Sequence, residues 1–237
     1  MKPFRFLILL PLFAGLGCSV PNDSSIRFLN AHELTLGAAT TACTSQAIAV
    51  YRGSLDLAGT DRYYVAFDWE SNLEQITTIL STQEVIAGPQ RNEFVLDHFV
   101  FTYSSMPSLQ FQSEQVNAYA VNQVGAVGAS NWLGVSLITP QARRVLGTAI
   151  QPGDLVGVEL QVTFQGFGSL ASGQKLSTNK VTYPIQVYRS SFPGTCRVAG
   201  DIRAPTGPCG APGGQDGTVV ACCRDITPII TGCPTGP

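Results

Sequence analysis

Segments in which apolar and polar residues alternate recur along this chain from residue 26 to residue 190, with turn residues between them. The clearest is 155–164, where Val156, Val158 and Leu160 alternate with glycine, glutamate and glutamine. A period of two places successive side chains on opposite faces of a strand, so this segment predicts a strand with one solvated face. The predicted strands are 26–36, 47–57, 63–69, 76–80, 93–103, 116–121, 132–138, 155–164 and 181–188.

Helical signals are sparse by comparison. The best candidate is 139–146, because Thr139 is a favourable N-cap, Pro140 suits the first turn and Gly147 would end the helix. Many short strands and so little helix predict an all-β fold. We expect an antiparallel β-sandwich of the immunoglobulin-like or jelly-roll type, with under about a tenth of its residues in α-helix.

The cysteine spacing excludes an antibody-type domain. Such a domain needs a cysteine, a tryptophan and a second cysteine that together span the two sheets. Cys43 and Trp69 could supply the first two, but the next cysteine is Cys196, which follows the last predicted strand. The sandwich is therefore retained and the closer analogy is rejected.

Two of the predicted strands contain an irregularity. In 93–103, Phe94 and His98 would share one face, yet Phe99 on the other face is also large and apolar, which predicts a bulge or burial on both faces. In 181–188, Pro184 lacks a backbone N–H, which predicts an edge or bulged strand. With 155–164 this last strand is expected to form a terminal β-ribbon that has a long loop.

The N-terminus has the layout of an export signal. Lys2 and Arg5 precede an apolar run over 6–13, which is too short for a membrane-spanning helix of roughly 20 residues. The box Gly-Leu-Gly-Cys that ends at Cys18 resembles the signal peptide of bacterial lipoproteins. That resemblance implies removal of residues 1–17, acylation of Cys18 and a lipidated linker over 18–25. The alternative is an ordinary cleavage site beside a cysteine that forms a disulfide or stays free.

Cysteine parity agrees with acylation of Cys18. The chain has seven cysteines, and removing Cys18 leaves an even number that can close as disulfides in an oxidising compartment. We expect all of these to be oxidised: Cys43, Cys196, Cys209, Cys222, Cys223 and Cys233. The adjacent Cys222 and Cys223 are expected to have different partners, with Cys43 as a candidate for one of them.

Residues 191–237, which we call the tail, differ in character from the rest of the chain. They are rich in cysteine, proline and glycine and have almost no apolar periodicity. Such a segment cannot form a core of its own, so cross-links or docking on the sandwich over 26–190 must order it. Zinc is the competing interpretation of the cysteines. It is disfavoured because the tail has no Cys-x-x-Cys pair and no histidine.

Candidate catalytic residues are few. His98 adjoins Asp97, but neighbours on a strand point to opposite faces. Asp68 and Glu70 would share a face and could act as paired carboxylates or hold a cation, although a solvated face is the simpler interpretation. Asp216 is interpreted as a turn residue. We therefore expect no enzyme activity, no cofactor and no metal site.

The overall charge bears on partners. Charged residues make up only 13% of the chain, and its formal net charge is −2. This mildly acidic balance gives no electrostatic reason to expect a nucleic-acid partner.

Part of the tail carries a resemblance to a known group. Residues 208–223 contain Pro-Cys, then Gly-Gln-Asp, then a cysteine pair, and 177–187 form the strand before them. Both stretches are similar to the closing segment of uncharacterised cell-envelope lipoproteins of myxobacteria. The resemblance implies a lipid anchor and an envelope location, expected at the outer membrane on its periplasmic or surface face, and implies no activity.

Two classes of function are consistent with these observations. The first is a non-enzymatic structural or interaction protein that is anchored in the membrane by its lipid and contacts other envelope proteins or glycans. The alternative is a carbohydrate- or peptide-binding envelope module with an aromatic platform. The candidate platform residues are Tyr63, Tyr64, Trp69, Trp132 and Phe167. Coplanar exposed rings would favour the second class, and rings packed in the core would favour the first.

Overall fold

The computed structural model describes residues 25–36, 43–73, 93–122, 132–190, 209 and 214–217. The predicted strand 76–80, Cys18 and four cysteines of the tail lie outside the described residues; those four are Cys196, Cys222, Cys223 and Cys233. The strands are β1 (Ile26–Leu36), β2 (Cys43–Ala49), β3 (Gly53–Asp56), β4 (Tyr64–Ser71), β5 (Phe94–Met106), β6 (Glu114–Asn122), β7 (Trp132–Ser136), β8 (Val158–Leu170), β9 (Lys175–Ser177) and β10 (Val181–Tyr188). The helix within these described residues is α1 (Pro140–Ala149).

The strands form two sheets, as predicted. The four-stranded sheet has the order β2-β1-β4-β7, and the six-stranded sheet has the order β3-β10-β8-β5-β6, with β9 paired to β8. Strand accounts for 60% of the described chain and helix for 7%. Every described strand pair is antiparallel except β3 with β10, which is parallel. The predicted antiparallel β-sandwich is confirmed, and the parallel pair arises where the chain crosses over from the other sheet into β3.

Aromatic side chains from both sheets fill the space between them. The Phe28 ring on β1 lies 5.6 Å from that of Phe164 on β8, and the Phe67 ring on β4 lies 5.0 Å from the same ring. Trp69 meets Phe94 edge-on at 6.3 Å. Edge-on and tilted ring pairs at these separations add to the free energy gained by removing apolar surface from water. These contacts hold the two sheets face to face.

The predicted strand 47–57 is wrong as a single element. The chain turns over Val50–Arg52, so the first part ends as β2 on the four-stranded sheet and the second begins as β3 on the six-stranded sheet. At the turn, the Val50 N–H donates to Ala31 O at 2.7 Å, which ties the crossover to β1. The run of apolar residues 47–51 continues into the turn in the sequence, so it does not reveal the change of sheet.

The bulge predicted in 93–103 is confirmed. The register of β5 shifts between Leu96 and His98 against both β6 and β8. Phe94 and Leu96 before the shift and Phe99 and Phe101 after it are all buried. The extra residue changes the parity of the strand, which lets both sets face the same core.

The β-ribbon of β8 and β10 is confirmed, but the prediction of β10 as an edge or bulged strand is wrong, since its register with β8 is unbroken. β10 lies between β8 and β3 in the six-stranded sheet. β3 pairs with β10 only from Ile185 to Tyr188, so the missing N–H of Pro184 removes no bond to β3. Proline is tolerated in this inner strand because its neighbour on that side begins one residue later.

The helix is confirmed with a different end. Thr139 is the N-cap, its Oγ1 accepts from the Ala142 N–H, and Pro140 occupies the first turn. The helix continues past Gly147 to Ala149, and the Ile150 N–H then donates to Leu146 O at 2.9 Å. Leu146 and Ile150 are both fully buried. Their packing carries the helix beyond the glycine, which the local signal could not indicate.

Tyr103 connects β5 to the start of α1. Its Oη lies 3.0 Å from both Leu137 O and Thr139 Oγ1, and it accepts from the Thr139 N–H at 3.2 Å. Burial raises the pKa of Tyr103 to about 12. The phenol therefore stays protonated in the folded state at pH values where an unfolded tyrosine ionises.

We expect alkaline destabilisation from this phenol. Because its folded pKa is raised above the ordinary 10.0, its contribution is fully present below pH 10.0 and is lost as the pH rises towards about 12. Tyr103→Phe should lower the free energy of unfolding by about 1 kcal/mol at neutral pH and make the alkaline decline shallower. Urea unfolding over this pH range measures both effects. An unchanged alkaline slope in the variant would contradict the assignment.

A second prediction concerns the core. Phe164→Ala removes the ring that Phe28, Phe67 and Phe99 all contact, so it should lower the free energy of unfolding by about 3–5 kcal/mol. The matched control is Tyr119→Ala on β6, whose side chain is 81% exposed and should change stability by less than about 0.5 kcal/mol. Denaturant unfolding with the disulfide intact compares the two. Equal losses would show that the inter-sheet rings do not dominate stability.

Candidate functional site

The proposed platform aromatics do not share one exposed surface. Tyr63 and Trp69 are core residues that are 1% and 5% exposed. Phe167 is half-buried on β8 and stacks on His98 at 5.3 Å, whereas Tyr64 and Trp132 are half-buried against a cluster on the outer face of the four-stranded sheet. Their positions divide the five rings among the core and two different sheets.

His32 and Asp68 form a contact that the sequence did not indicate. They lie on neighbouring strands β1 and β4, with His32 Nε2 2.8 Å from Asp68 Oδ2. His32 is only 8% exposed, and among the described residues its Nδ1 has no hydrogen-bond partner. Glu70, the other member of the candidate carboxylate pair, is exposed. The structure therefore pairs Asp68 with a histidine across the sheet.

The second histidine has a different environment. The ring of His98 is nearly parallel to that of Phe167, at an angle of 11°. The neighbouring Asp97 carboxylate lies 3.7 Å from Lys175 Nζ on β9. The two residues thus have separate partners, but the expectation that they point to opposite faces is wrong, because the bulge in β5 leaves both on the side away from the core between the buried Leu96 and Phe99.

A shallow pocket of about 120 Å³ lies beside the start of α1, with Arg62 and Arg143 among its lining residues. Arg143 Nη1 lies 3.2 Å from Asp61 Oδ2. The first helical amides are occupied, since the Gln141 N–H donates to Glu114 and the Ala142 N–H to the N-cap. This pocket therefore does not present the free helix amides that would bind an anion.

The tail is joined to the sandwich by a disulfide. Cys43 at the start of β2 is bonded to Cys209, with Cα atoms 5.6 Å apart and a sequence separation of 166. Neither Cys222 nor Cys223 is therefore the partner of Cys43. Cys209 is 2% exposed and packs with Leu34 and Ala66 on the outer face of the four-stranded sheet.

A second attachment is made by residues 214–216, which we call the Gly-Gln-Asp segment. It pairs with the free edge of β3: the Asp56 N–H donates to Gly214 O at 2.6 Å and the Asp216 N–H donates to Ser54 O at 2.8 Å. Gln215 and Leu55 form an antiparallel bridge. The segment adds a single bridged residue to the edge of the six-stranded sheet and covers part of an edge that would otherwise have unpaired backbone groups.

The Gln215 side chain reaches the other sheet. Its Oε1 accepts from the Tyr64 N–H at 3.0 Å, and its Nε2 donates to Tyr64 O at 2.7 Å. The side-chain amide thus pairs with the start of β4 in the way that a peptide group of a neighbouring strand would. The segment thus pairs with the six-stranded sheet through its backbone and with the four-stranded sheet through this side chain.

The Asp216 carboxylate meets a buried pair of phenols. Tyr63 Oη donates to it, at 3.0 Å from Oδ1 and 2.9 Å from Oδ2, and the Ser54 N–H donates to Oδ1 at 2.8 Å. Tyr183 Oη lies 3.2 Å from Tyr63 Oη. Because the single Tyr63 proton points to the carboxylate, Tyr183 is the donor to Tyr63. Burial first, and then the Asp216 charge, raises the pKa of Tyr63 above its ordinary value, which keeps this donor protonated.

Two glycines make this arrangement sterically possible. A Cβ at Gly53 would overlap the Tyr63 hydroxyl, so only glycine lets that hydroxyl reach the carboxylate past β3. Gly214 has φ +100°, and a Cβ there would lie 2.9 Å from Asp56 O. Asp216 itself has φ 51°, a conformation that aspartate tolerates better than most residues. The prediction of Asp216 as a turn residue therefore describes its backbone, and its side chain has this further role.

Sequence reasoning missed Tyr63, Tyr183 and Gln215 as members of a polar site. Tyr63 and Asp216 are 153 residues apart, and only the packed fold brings them together. One signal was present: a Gly-Gln-Asp-Gly run inside a segment that needs docking to become ordered. Here we call Ser54, Asp56, Tyr63 and Tyr64 the docking groove.

The Tyr63–Asp216 contact should be measurable as a coupling. Tyr63→Phe and Asp216→Asn should each lower the free energy of unfolding by about 1–2 kcal/mol, because each leaves a partner without its hydrogen bond. The double variant should lose less than the sum of the two, since both substitutions remove one interaction. Tyr64→Phe is the matched control, because the Tyr64 hydroxyl makes a long, exposed contact of 3.5 Å with Arg62 Nη1 and its loss should change stability little. Strict additivity of the two substitutions in urea unfolding would contradict the contact.

Comparison with known proteins gives no family for this chain. No protein-family model, no curated protein and no solved structure matches it. Within the described residues, no helix is long and apolar enough to cross a membrane. The same part of the chain contains no group of three histidine, cysteine, aspartate or glutamate residues placed to hold a metal ion. Function is therefore inferred from the chain's own sequence and contacts.

Proposed function

We propose that this protein is an exported cell-envelope protein, anchored by a lipid on Cys18, whose β-sandwich is a structural or interaction module. The apolar run over 6–13 and the Gly-Leu-Gly-Cys box support export and acylation. The likeness of 208–223 to myxobacterial envelope lipoproteins supports the same location, at the outer membrane. Residues 26–190 would then be the functional body and 191–237 a tail held against it.

The observation that carries this proposal is the disulfide between Cys43 and Cys209. Disulfides that hold distant parts of a chain together persist in oxidising compartments and are rare in the reducing cytosol. A bond over a sequence separation of 166 also restricts the unfolded chain strongly, and losing such a bond typically costs roughly 2–5 kcal/mol. The disulfide would thus stabilise the sandwich in the oxidising compartment to which an export signal directs a protein.

The linker sets how far the sandwich can lie from the membrane. Residues 18–25 separate the proposed lipid from Ile26, the first residue of β1. A fully extended chain of this length spans at most about 28 Å. The Ile26 end of the sandwich would therefore face the bilayer, and the opposite end would face other envelope components.

That opposite end carries exposed apolar side chains. Met106 at the end of β5 is 76% exposed, and Leu155 and Val156 before β8 are 68% and 83% exposed. Met106 pairs with Glu159, so all three lie near the same end of the six-stranded sheet. Exposed apolar residues that lie together are typical of interaction surfaces. Their position supports contact with a neighbour in the envelope.

The contacts of the candidate catalytic residues support a structural role for them. Asp68 binds His32 within one sheet, His98 stacks on Phe167, and Asp216 holds the tail. Each of these side chains serves packing or docking in the folded chain.

The anchor is tested by Cys18→Ser. The wild-type protein should incorporate labelled fatty acid and sediment with membranes, whereas Cys18→Ser should incorporate none and appear in the soluble fraction or as unprocessed precursor, because the acylated thiol is gone. Cys43→Ser is the matched control, since it removes a cysteine of the sandwich and should leave acylation intact. Fatty-acid labelling and membrane fractionation provide the readout.

Two outcomes would count against the proposal. The absence of label in the wild type would remove the lipid anchor, and free thiols at Cys43 and Cys209 in the exported protein would remove the oxidised state. Cross-linking in the intact envelope then identifies the neighbours of the anchored form, with the soluble Cys18→Ser form as the reference.

A further inference from the structure

The docking groove has the features of a peptide-binding site. It offers the N–H and C=O groups of an edge strand at Ser54 and Asp56, a second peptide group at Tyr64, and a hydroxyl donor at Tyr63. Addition of a strand to such an edge is a common way for domains to bind extended peptides. In this structure the bound peptide is the chain's own Gly-Gln-Asp segment.

Each position of the segment is recognised differently. Gly214 fits because a Cβ would lie 2.9 Å from Asp56 O. Gln215 spans the distance to both the N–H and the C=O of Tyr64, at 3.0 and 2.7 Å, which the shorter asparagine would not reach. Asp216 receives donors from Ser54 and Tyr63. The groove therefore recognises the side chains of the segment as well as its backbone.

The groove belongs to the sandwich and not to the tail. Tyr63 and its partner Tyr183 are 1% and 3% exposed and are fixed by core packing. Their rings lie 5.9 Å apart, and the Tyr183 ring also meets Phe67 edge-on. Gly53, next to Ser54, leaves the space through which the Tyr63 hydroxyl passes. A rigid, preformed groove of this kind lowers the ordering cost of binding a peptide.

The groove also lies at the end of the sandwich away from the proposed anchor. β1 and β4 pair with Ile26 opposite Ser71 and Glu33 opposite Val65. At about 3.4 Å per residue, Tyr64 is therefore roughly 24 Å along the sheet from the level of Ile26. The groove is on the side that other chains would approach.

We propose that the docking groove is a binding site for extended peptides that carry Gly-Gln-Asp, and that the tail is its ligand in cis. The disulfide at Cys209 leaves only residues 210–213 before the segment, a span of at most about 18 Å when extended. This tether gives the segment a millimolar or higher effective concentration at the groove. The groove and its ligand in cis do not depend on lipid anchoring at Cys18; only the orientation of the groove towards other chains rests on that proposal.

The test uses the full chain with its own segment disabled. In the Gln215→Ala, Asp216→Ala double variant, a labelled synthetic peptide with the sequence of residues 211–220 should bind saturably in fluorescence anisotropy. The wild type should bind it at least about 10-fold more weakly, because its tethered tail competes. A peptide with asparagine in place of the glutamine is the matched control and should lose at least about 10-fold in affinity, since its amide cannot reach Tyr64.

A groove variant separates specific from general binding. Adding Tyr63→Phe to the double variant should weaken the peptide at least about 10-fold, because the aspartate loses its buried donor. Circular dichroism checks that each variant is folded. If the double variant is not folded, Gln215→Ala alone is used, which keeps Asp216 and the disulfide. Absence of saturable binding to a folded variant, or equal binding of the two peptides, overturns the proposal.

The source of the ligand is resolved by mixing chains. Sedimentation of the double variant with wild-type protein should show separate monomers, because the wild-type segment is tethered at its own groove. A one-to-one complex that disappears with Tyr63→Phe in the variant would overturn the assignment of the tail as a ligand in cis and would identify a second copy as the donor.

Discussion

Phe164 lies where aromatic rings from both sheets converge. It contacts Phe28 and Phe67 across the interface and Phe99 and Phe101 within its own sheet, at ring separations of 5.0 to 5.8 Å. Backbone pairing joins β5 to β8, and the bulge in β5 keeps Phe99 and Phe101 on the side that faces these rings. Removal of these rings from water therefore holds the two sheets against each other, and it requires the strand registers that place the rings on the inner faces.

The edges of the sheets pose a separate problem. An edge strand exposes unpaired backbone groups, and this chain covers part of β3 with its own Gly-Gln-Asp segment. Tyr63 connects that edge to the core, because its ring packs against Tyr183 at 5.9 Å while its hydroxyl holds Asp216. Burial of the phenol keeps it protonated, and a protonated phenol is the donor that a carboxylate requires. Core packing thus creates the polar contact that holds the tail.

The sequence predicted most of the fold, and its errors have a common cause. The bounds of β1 and β10 were predicted correctly, in β10 from a continuous alternation, and Thr139 was predicted as a cap from local chemistry. The sequence pattern does not indicate which sheet a strand joins, so the end of β2 and the whole of β3 were predicted as one strand over 47–57. The helix end was wrong because burial of Leu146 and Ile150, a tertiary effect, outweighs Gly147. Contacts between residues that are far apart, such as His32 with Asp68 or Tyr63 with Asp216, have no local signal at all.

The two attachments of the tail differ in how they stabilise it. The disulfide at Cys209 restricts the unfolded chain and imposes little preference on the residues that come after it. The Gly-Gln-Asp contacts act in the folded state and require a defined residue at each position, including the left-handed backbone of Asp216 at φ 51°. A cross-link alone would have been enough to keep the tail nearby. Tyr64 also hydrogen-bonds the Gln215 side chain, and Tyr63 hydrogen-bonds the Asp216 carboxylate. These additional contacts are best explained by a groove that selects this segment over others.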